Sequence, residues 1–124
     1  MISVRSQRGG LARRSGRRGE VLAALLLMLK GYRVIGFRLA SPQGEIDLLA
    51  LKGGVLVVVE VKRRTTLETA LEAVRPDQRQ RLRRAAAAIA AGRPALKAAT
   101  IRLDLVALAP GRLPRHIPDA WKGG

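Results

Sequence analysis

The chain has 124 residues, no cysteine, and 24 Lys plus Arg against nine Asp plus Glu, a net charge of +15. That length gives one domain with a modest core. The missing cysteine excludes a disulfide scaffold and a Cys-ligated zinc site, and the charge calls for a polyanionic partner, nucleic acid above all. Tyr32, Phe37 and Trp121 are the only aromatic residues, so Leu, Val, Ile and Ala must build the core.

Residues 1–15 are rich in Arg, Gly and Ser and have no apolar periodicity, which reads as a flexible basic arm ahead of a single domain over 16–124. A first helix is expected from about Gly16 to Leu29, stopped at Gly31. Its apolar run, Val21 to Leu29, is shorter than the roughly 20 residues that a bilayer requires. No small-residue cleavage site follows it. The expectation is a buried helix in a cytoplasmic protein with no membrane contact. Tyr32–Leu39 reads as a strand and Ser41-Pro42-Gln43-Gly44 as a turn. Glu45–Leu51 and Val55–Val61 read as two strands of a hairpin closed by Lys52-Gly53-Gly54. Arg63–Arg75 is a polar connection with a helical turn through Glu68–Glu72. Pro76 opens a second helix that runs to about Ala91, and Thr100–Leu108 is a fourth strand. The tail from Ala109, with Pro110, Pro114 and Pro118, shows no regular pattern. The order α-β-β-β-α-β implies an α/β fold: a mixed central sheet with flanking helices and a right-handed parallel crossover between the third and fourth strands.

Three of the nine acids fall inside the hairpin, in Gly44-Glu45-Ile46-Asp47 and Val59-Glu60-Val61-Lys62. If Gly53-Gly54 form the turn, Asp47 lies opposite Glu60 and Glu45 opposite Lys62. Alternation then puts all four on one face. Directly opposed like charges destabilise a sheet, so one carboxyl carries a proton or a cation bridges the two. Mg²⁺ or Mn²⁺, taking one or two carboxylates and completing its shell with water and phosphate oxygens, suits Asp47 and Glu60 as ligands. Lys62 then orients the attacking water or neutralises charge on the phosphate. The competing reading is a cross-strand Glu45–Lys62 salt bridge on a solvated edge. Glu20, at the start of the first helix, suits the helix dipole; alternatively it reaches over the sheet to the metal, on a row shared with Ala24 and Leu27.

Gly16-Arg17-Arg18-Gly19-Glu20, Gly44-Glu45-Ile46-Asp47-Leu48-Leu49-Ala50 and Val59-Glu60-Val61-Lys62-Arg63-Arg64 together resemble the YraN family. That family is similar to the PD-(D/E)xK nucleases, with archaeal Holliday-junction resolvases among its nearer relatives. The resemblance spans about residues 13–121. It implies a restriction-endonuclease-like fold and metal-dependent cleavage of structured or branched DNA. It also implies Asp47 and Glu60 as metal ligands, Lys62 as catalytic lysine and Glu20 as a helix-borne catalytic acid. Such relatives act as two-fold dimers, so a homodimer is a possible assembly. The chain departs from the pattern at Ile46, where a proline precedes the acid elsewhere. It departs again at Gln78, where a lysine is frequent; Gln78 and Glu45 are supporting residues around the site.

Three basic segments are candidate nucleic-acid contacts. Arg13, Arg14, Arg17 and Arg18 precede or open the first helix. Arg63 and Arg64 follow Lys62, and Arg75, Arg79 and Arg83 form one row of the second helix. Like charges four apart repel, which a bound phosphate backbone relieves. Aromatic interleaving is absent, which favours backbone recognition of DNA over stacking on single strands. Two functions remain open: a metal-dependent endonuclease, and a non-catalytic module that binds DNA or ribosomal RNA on the same architecture. His116 is expected to pack the tail and Asp104 to pair with an arginine.

Overall fold

Two adjacent glycines set the register of the sheet. The computed structural model describes the backbone of residues 10–124 and the side chains of 18–124. In it β2 (Gly44–Lys52) and β3 (Val55–Arg63) pair antiparallel, with Lys52 opposite Val55 and Leu48 opposite Val59. This is the expected two-residue turn, and Gly53 takes φ +58, a left-handed conformation that costs glycine little. β1 (Arg33–Ser41) is antiparallel to β2 on the outer side. β4 (Thr100–Leu108) lies parallel to β3, as the crossover requires.

Helices cover both faces. On one side α1 (Gly10–Leu29) buries Ala23, Ala24 and Leu27 against Leu48, Ala50, Val57, Val59, Val106 and Leu108. On the other, α2 (Leu67–Glu72) and α3 (Pro76–Ala91) enclose a second core. Leu82, Ala85, Ala86 and Ala90 of α3 pack there on Ile46, Leu49, Leu56, Val58 and Leu103. The run Val55–Val59 of β3, apolar at every position, is what a strand covered on both faces needs. α1 ends as its sequence requires. Gly31 adopts φ +92, Gly31 N–H donates to the Met28 carbonyl and Tyr32 N–H to that of Leu27, each at 3.0 Å.

Two boundaries differ from expectation. α1 starts at Gly10 rather than near Gly16. Gly10, Ser15 and Gly16 are weak helix formers, which disguised the first turns. Residues 1–9 of the expected arm lie outside the described residues. The tail contains a fifth strand, β5 (Arg115–Ile117), antiparallel to β4, so the sheet order is β1-β2-β3-β4-β5. Pro114 and Pro118 bracket β5 and restrict it to three residues, too few to show a period.

The tail straps the molecule on both sides. His116 has its side chain only 1% exposed; Nδ1 accepts from Lys30 Nζ (2.8 Å) and Nε2 donates to Asp104 Oδ2 (2.7 Å). Asp104 also accepts two bonds from Arg102, both 2.8 Å, and one from Asp119 N–H, 2.9 Å. Arg102 is the arginine partner that the sequence suggested for Asp104, and His116 packs the tail as expected while also bonding Asp104. Trp121 crosses to the opposite face, packs on the α3-side core and donates its indole N–H to the Leu71 carbonyl (3.1 Å). None of the described helices is long and apolar enough to cross a membrane.

Candidate functional site

Asp47 sits where β2 lets go of both neighbours. Against β3 the ladder ends at Leu48–Val59, and the Asp47–Glu60 and Glu45–Lys62 pairs expected from the hairpin register do not form. Against β1 the pairing runs from Phe37–Leu48 to Leu39–Ile46, stepping over Arg38 and Asp47. Alternation breaks at the same point. Leu48 packs on the α1 side and Ile46 on the α3 side, although residues two apart in a regular strand share a face. Asp47 therefore stands in a fork between strands. Its Oδ2 accepts the Val61 N–H at 3.1 Å, taking the role of a ladder carbonyl.

The fork opens into a cavity of about 280 Å³. Asp47, Lys62, Glu20, Glu45, Arg38 and Arg63 line it, with Gly19, Val61 and Leu108 as apolar wall. Gly19 explains how α1 gets close enough. A Cβ there would lie 2.8 Å from Leu108 Cδ1 and 3.5 Å from an Arg63 Nη, so any larger residue would have to displace the Leu108 side chain for this turn of the helix to seat on the strand ends. That seating brings Glu20 to the cavity.

Arg38, which the sequence did not single out, is the other surprise. It has φ +48, rare for a residue with a side chain, and its Nε donates to Glu20 Oε1 at 2.8 Å. Both side chains are largely buried, 15% and 8% exposed. The carboxylate of Glu20 thus ends on an arginine of β1.

Glu60 does not line the cavity; it is 3% exposed, with Oε1 4.0 Å from Lys62 Nζ. Burial, and after it the charge of Asp47, push the Glu60 carboxyl up to about 8; Lys62 opposes this and is outweighed. Burial also raises Asp47, against the Val61 bond and Lys62, and it raises Glu20 against Arg38. Loss of solvent is the first cause of both shifts, and a bound cation would offset it. Among the described residues no group of three or more His, Cys, Asp or Glu is gathered to hold a metal. Asp47 and Glu60, two carboxylates with oxygen donors alone, are the residues that could hold a cation here, a set that Mg²⁺ or Mn²⁺ accepts when water and phosphate supply the rest.

The raised Glu60 has a measurable consequence. In chelator, stability is expected to fall as pH rises from about 5 to about 8. Over that range the folded chain holds a proton that the unfolded chain, with Glu60 at its ordinary 4.5, has released. Urea titrations should show Glu60→Gln without this part of the fall, by at least about 1.4 kcal/mol, the worth of one pKa unit. Equal pH slopes in the two proteins would contradict the assignment.

The other site residues fall in different places. Gln78 lines a separate cavity of about 400 Å³ with Ser41, Gln43, Glu45, Arg81 and Leu82. Glu45 borders both cavities, whereas Gln78 does not reach the one with Asp47. The arginine row of α3 does not act as one surface. Arg79 donates to the Val74 carbonyl (2.7 Å) and lies 5.3 Å over the Trp121 ring, while exposed Arg75 pairs with Asp77 at 3.4 Å. Arg83 Nε is buried with no hydrogen-bond partner. Arg18, Arg63 and Arg64 are exposed. The side chains of Arg13, Arg14 and Arg17 lie outside the described residues.

The model of the uncharacterised protein family UPF0102 matches residues 19–108. The chain belongs to the UPF0102 family. This is the YraN family that the three motifs resemble. A UPF0102 protein of Caulobacter vibrioides (strain NA1000 / CB15N) is 66% identical over 120 residues, covering 97% of this chain and 96% of its own. One of Caulobacter sp. (strain K31) is 69% identical over 114 residues, covering 92% and 82%. UPF0102 protein amb4503 of Paramagnetospirillum magneticum is 51% identical over 115, covering 90% and 89%. The UPF0102 match begins at Gly19 and ends at Leu108. It therefore contains the whole wall of the fork cavity and stops before β5.

Proposed function

We propose that this UPF0102 protein is a metal-dependent endonuclease that hydrolyses phosphodiester bonds of structured or branched DNA. One observation carries the reading: half-buried Asp47 and buried Glu60 are each pushed toward their protonated forms near Lys62, and Asp47 and Lys62 line a cavity that opens on solvent. Acids kept only for structure acquire partners enough to ionise; here the Val61 N–H and Lys62 are outweighed by burial.

Asp47 and Glu60 would hold Mg²⁺ or Mn²⁺. When bound, such an ion polarises a phosphoryl oxygen and makes water more acidic. The rest falls to the chain's own groups. The Lys62 ammonium, 22% exposed at the cavity, lies where it orients a water or offsets charge on the phosphate. Arg38, its guanidinium braced by Glu20, adds a second cation on the cavity wall. Arg63 lines the same opening and grips the backbone. The motif resemblance supplies the preference for branched DNA.

Calorimetric titration with Mn²⁺ tests the site without a substrate. The wild type is expected to bind the ion with proton release near pH 7, because Glu60 must ionise, and Glu60→Ala to give no binding heat. An unaltered isotherm in the variant would sink the metal site. It would leave the second reading, a nucleic-acid-binding module whose affinity falls steeply with salt and ignores divalent ions.

A further inference from the structure

The strand ends that carry the fork cavity also carry a second one. β3 finishes with Lys62 and Arg63 on the fork. The next residue, Arg64, turns to a cavity of about 290 Å³ between the β3–α2 connection and the β4–β5 loop. β4 divides in the same way: Leu108 walls the first cavity, Ala107 and Ala109 the second. The two openings are thus neighbours at the carboxyl end of the parallel strands, where α/β sheets place their ligands.

The charge in this second cavity is unbalanced. Arg64, Arg112 and Arg115 line it beside the hydroxyl-bearing Thr65, and Glu68 is its one acid. Arg64 gives a 2.8 Å bond to the Arg63 carbonyl. Among the described residues neither Arg112 nor Arg115 makes an ion pair or a side-chain hydrogen bond, and Glu68 pairs with none of the three. Elsewhere the chain does find partners for arginine, as at Arg38, Arg79 and Arg102. Three arginines around one concavity that holds a single acid leave an excess of positive charge that an anion would offset. Arginine's planar fork is suited to phosphate.

We propose that this cavity is a phosphate subsite for the nucleic-acid backbone, with Arg112 and Arg115 as its contacts beside Arg64. It rests on the nucleic-acid part of the function above. It adds a track: the strand that is cut at the fork continues past Arg63 into the pocket under the β4–β5 loop. Arg112 of the loop and Arg115 at the start of β5 then belong to substrate binding, although they lie outside the three motifs.

The test compares two double variants of the full chain that remove the same charge. One is Arg112→Ala with Arg115→Ala. The other is Arg93→Ala with Lys97→Ala, exposed positions at the opposite, hairpin end of the sheet, where Thr100 N–H bonds the Gly54 carbonyl. All four side chains are exposed, so both proteins should fold, as melting curves will check. Binding of a short labelled duplex and a four-way junction is followed by fluorescence anisotropy in EDTA over a range of salt. The loop variant should lose about two units of the log–log salt slope, one for each phosphate contact. Its affinity should drop on the order of tenfold at moderate salt, while the control keeps the wild-type slope. Equal effects of the two doubles, or no effect of the loop double, would overturn the subsite. The readout needs no cleavage. A wild type that never cuts DNA yet shows the slope difference loses the hydrolytic reading and keeps the subsite; one that cuts while both doubles bind alike does the reverse.

Discussion

An Asp47→Ala chain is expected to bind branched DNA at least as tightly as the wild type and to cleave it roughly 10²–10³-fold more slowly, the scale seen when one preorganised charge-stabilising group is removed. The two effects have different origins. Asp47 lines a cavity that already holds Glu20 and Glu45, so removing it lowers the repulsion that an incoming phosphate meets. Removing it also halves the proposed ligand pair and frees the Val61 N–H that its Oδ2 now accepts. Lys62→Ala should show a similar loss of cleavage, with affinity reduced only about as much as one phosphate contact is worth. Both follow from single-turnover cleavage in Mg²⁺ or Mn²⁺ together with anisotropy in EDTA. Unchanged cleavage by Asp47→Ala would falsify the endonuclease reading outright.

Asp104→Ala should produce the largest loss of stability, about 3–5 kcal/mol, as expected when one partner of a buried ion pair is deleted. Asp104 is fully buried and takes bonds from Arg102, His116 and the Asp119 N–H. Its removal strands two side-chain donors and loosens the tail. Burial alone would raise this carboxyl, but the bonds from Arg102, His116 and Asp119 together outweigh it and hold the group below its ordinary 3.8. Its contribution is therefore complete above about pH 4 and is lost as pH falls through the lower folded value. Denaturant titrations at neutral and acid pH measure both effects. A variant within about 1 kcal/mol of the wild type at pH 7 would show that Asp104 is not the keystone of the tail.

The contrast between Asp104 and Glu60 explains what could be read from the sequence. Both are acids in apolar strands, and nothing in DLV or VEV separates them. Folding does: Asp104 acquires an arginine, a histidine and a backbone N–H, whereas Glu60 acquires another acid and a lysine 4.0 Å away. The hairpin itself was legible, because Gly53-Gly54 between apolar runs fixes a register that the pairing of Lys52 with Val55 bears out. The parallel crossover was legible for the same kind of local reason.

What escaped were events that depend on parts distant in the chain. The fork at Asp47 needs β1 and β3 to release β2 at one point. The φ of +48 at Arg38 needs a carboxylate on α1 to reward it, and no propensity suggests an arginine for that conformation. Arg79 looked like a free cation in a basic row until Trp121 arrived from the tail.

That single tryptophan has a practical consequence. Its indole sits over the α3-side core, bonded to the Leu71 carbonyl and capped by Arg79, on the last segment rather than in the central strands. Intrinsic fluorescence of this protein accordingly watches the clasp, while far-ultraviolet circular dichroism watches the body. The gap between melts recorded by the two signals measures how independently the end of the chain unbuckles.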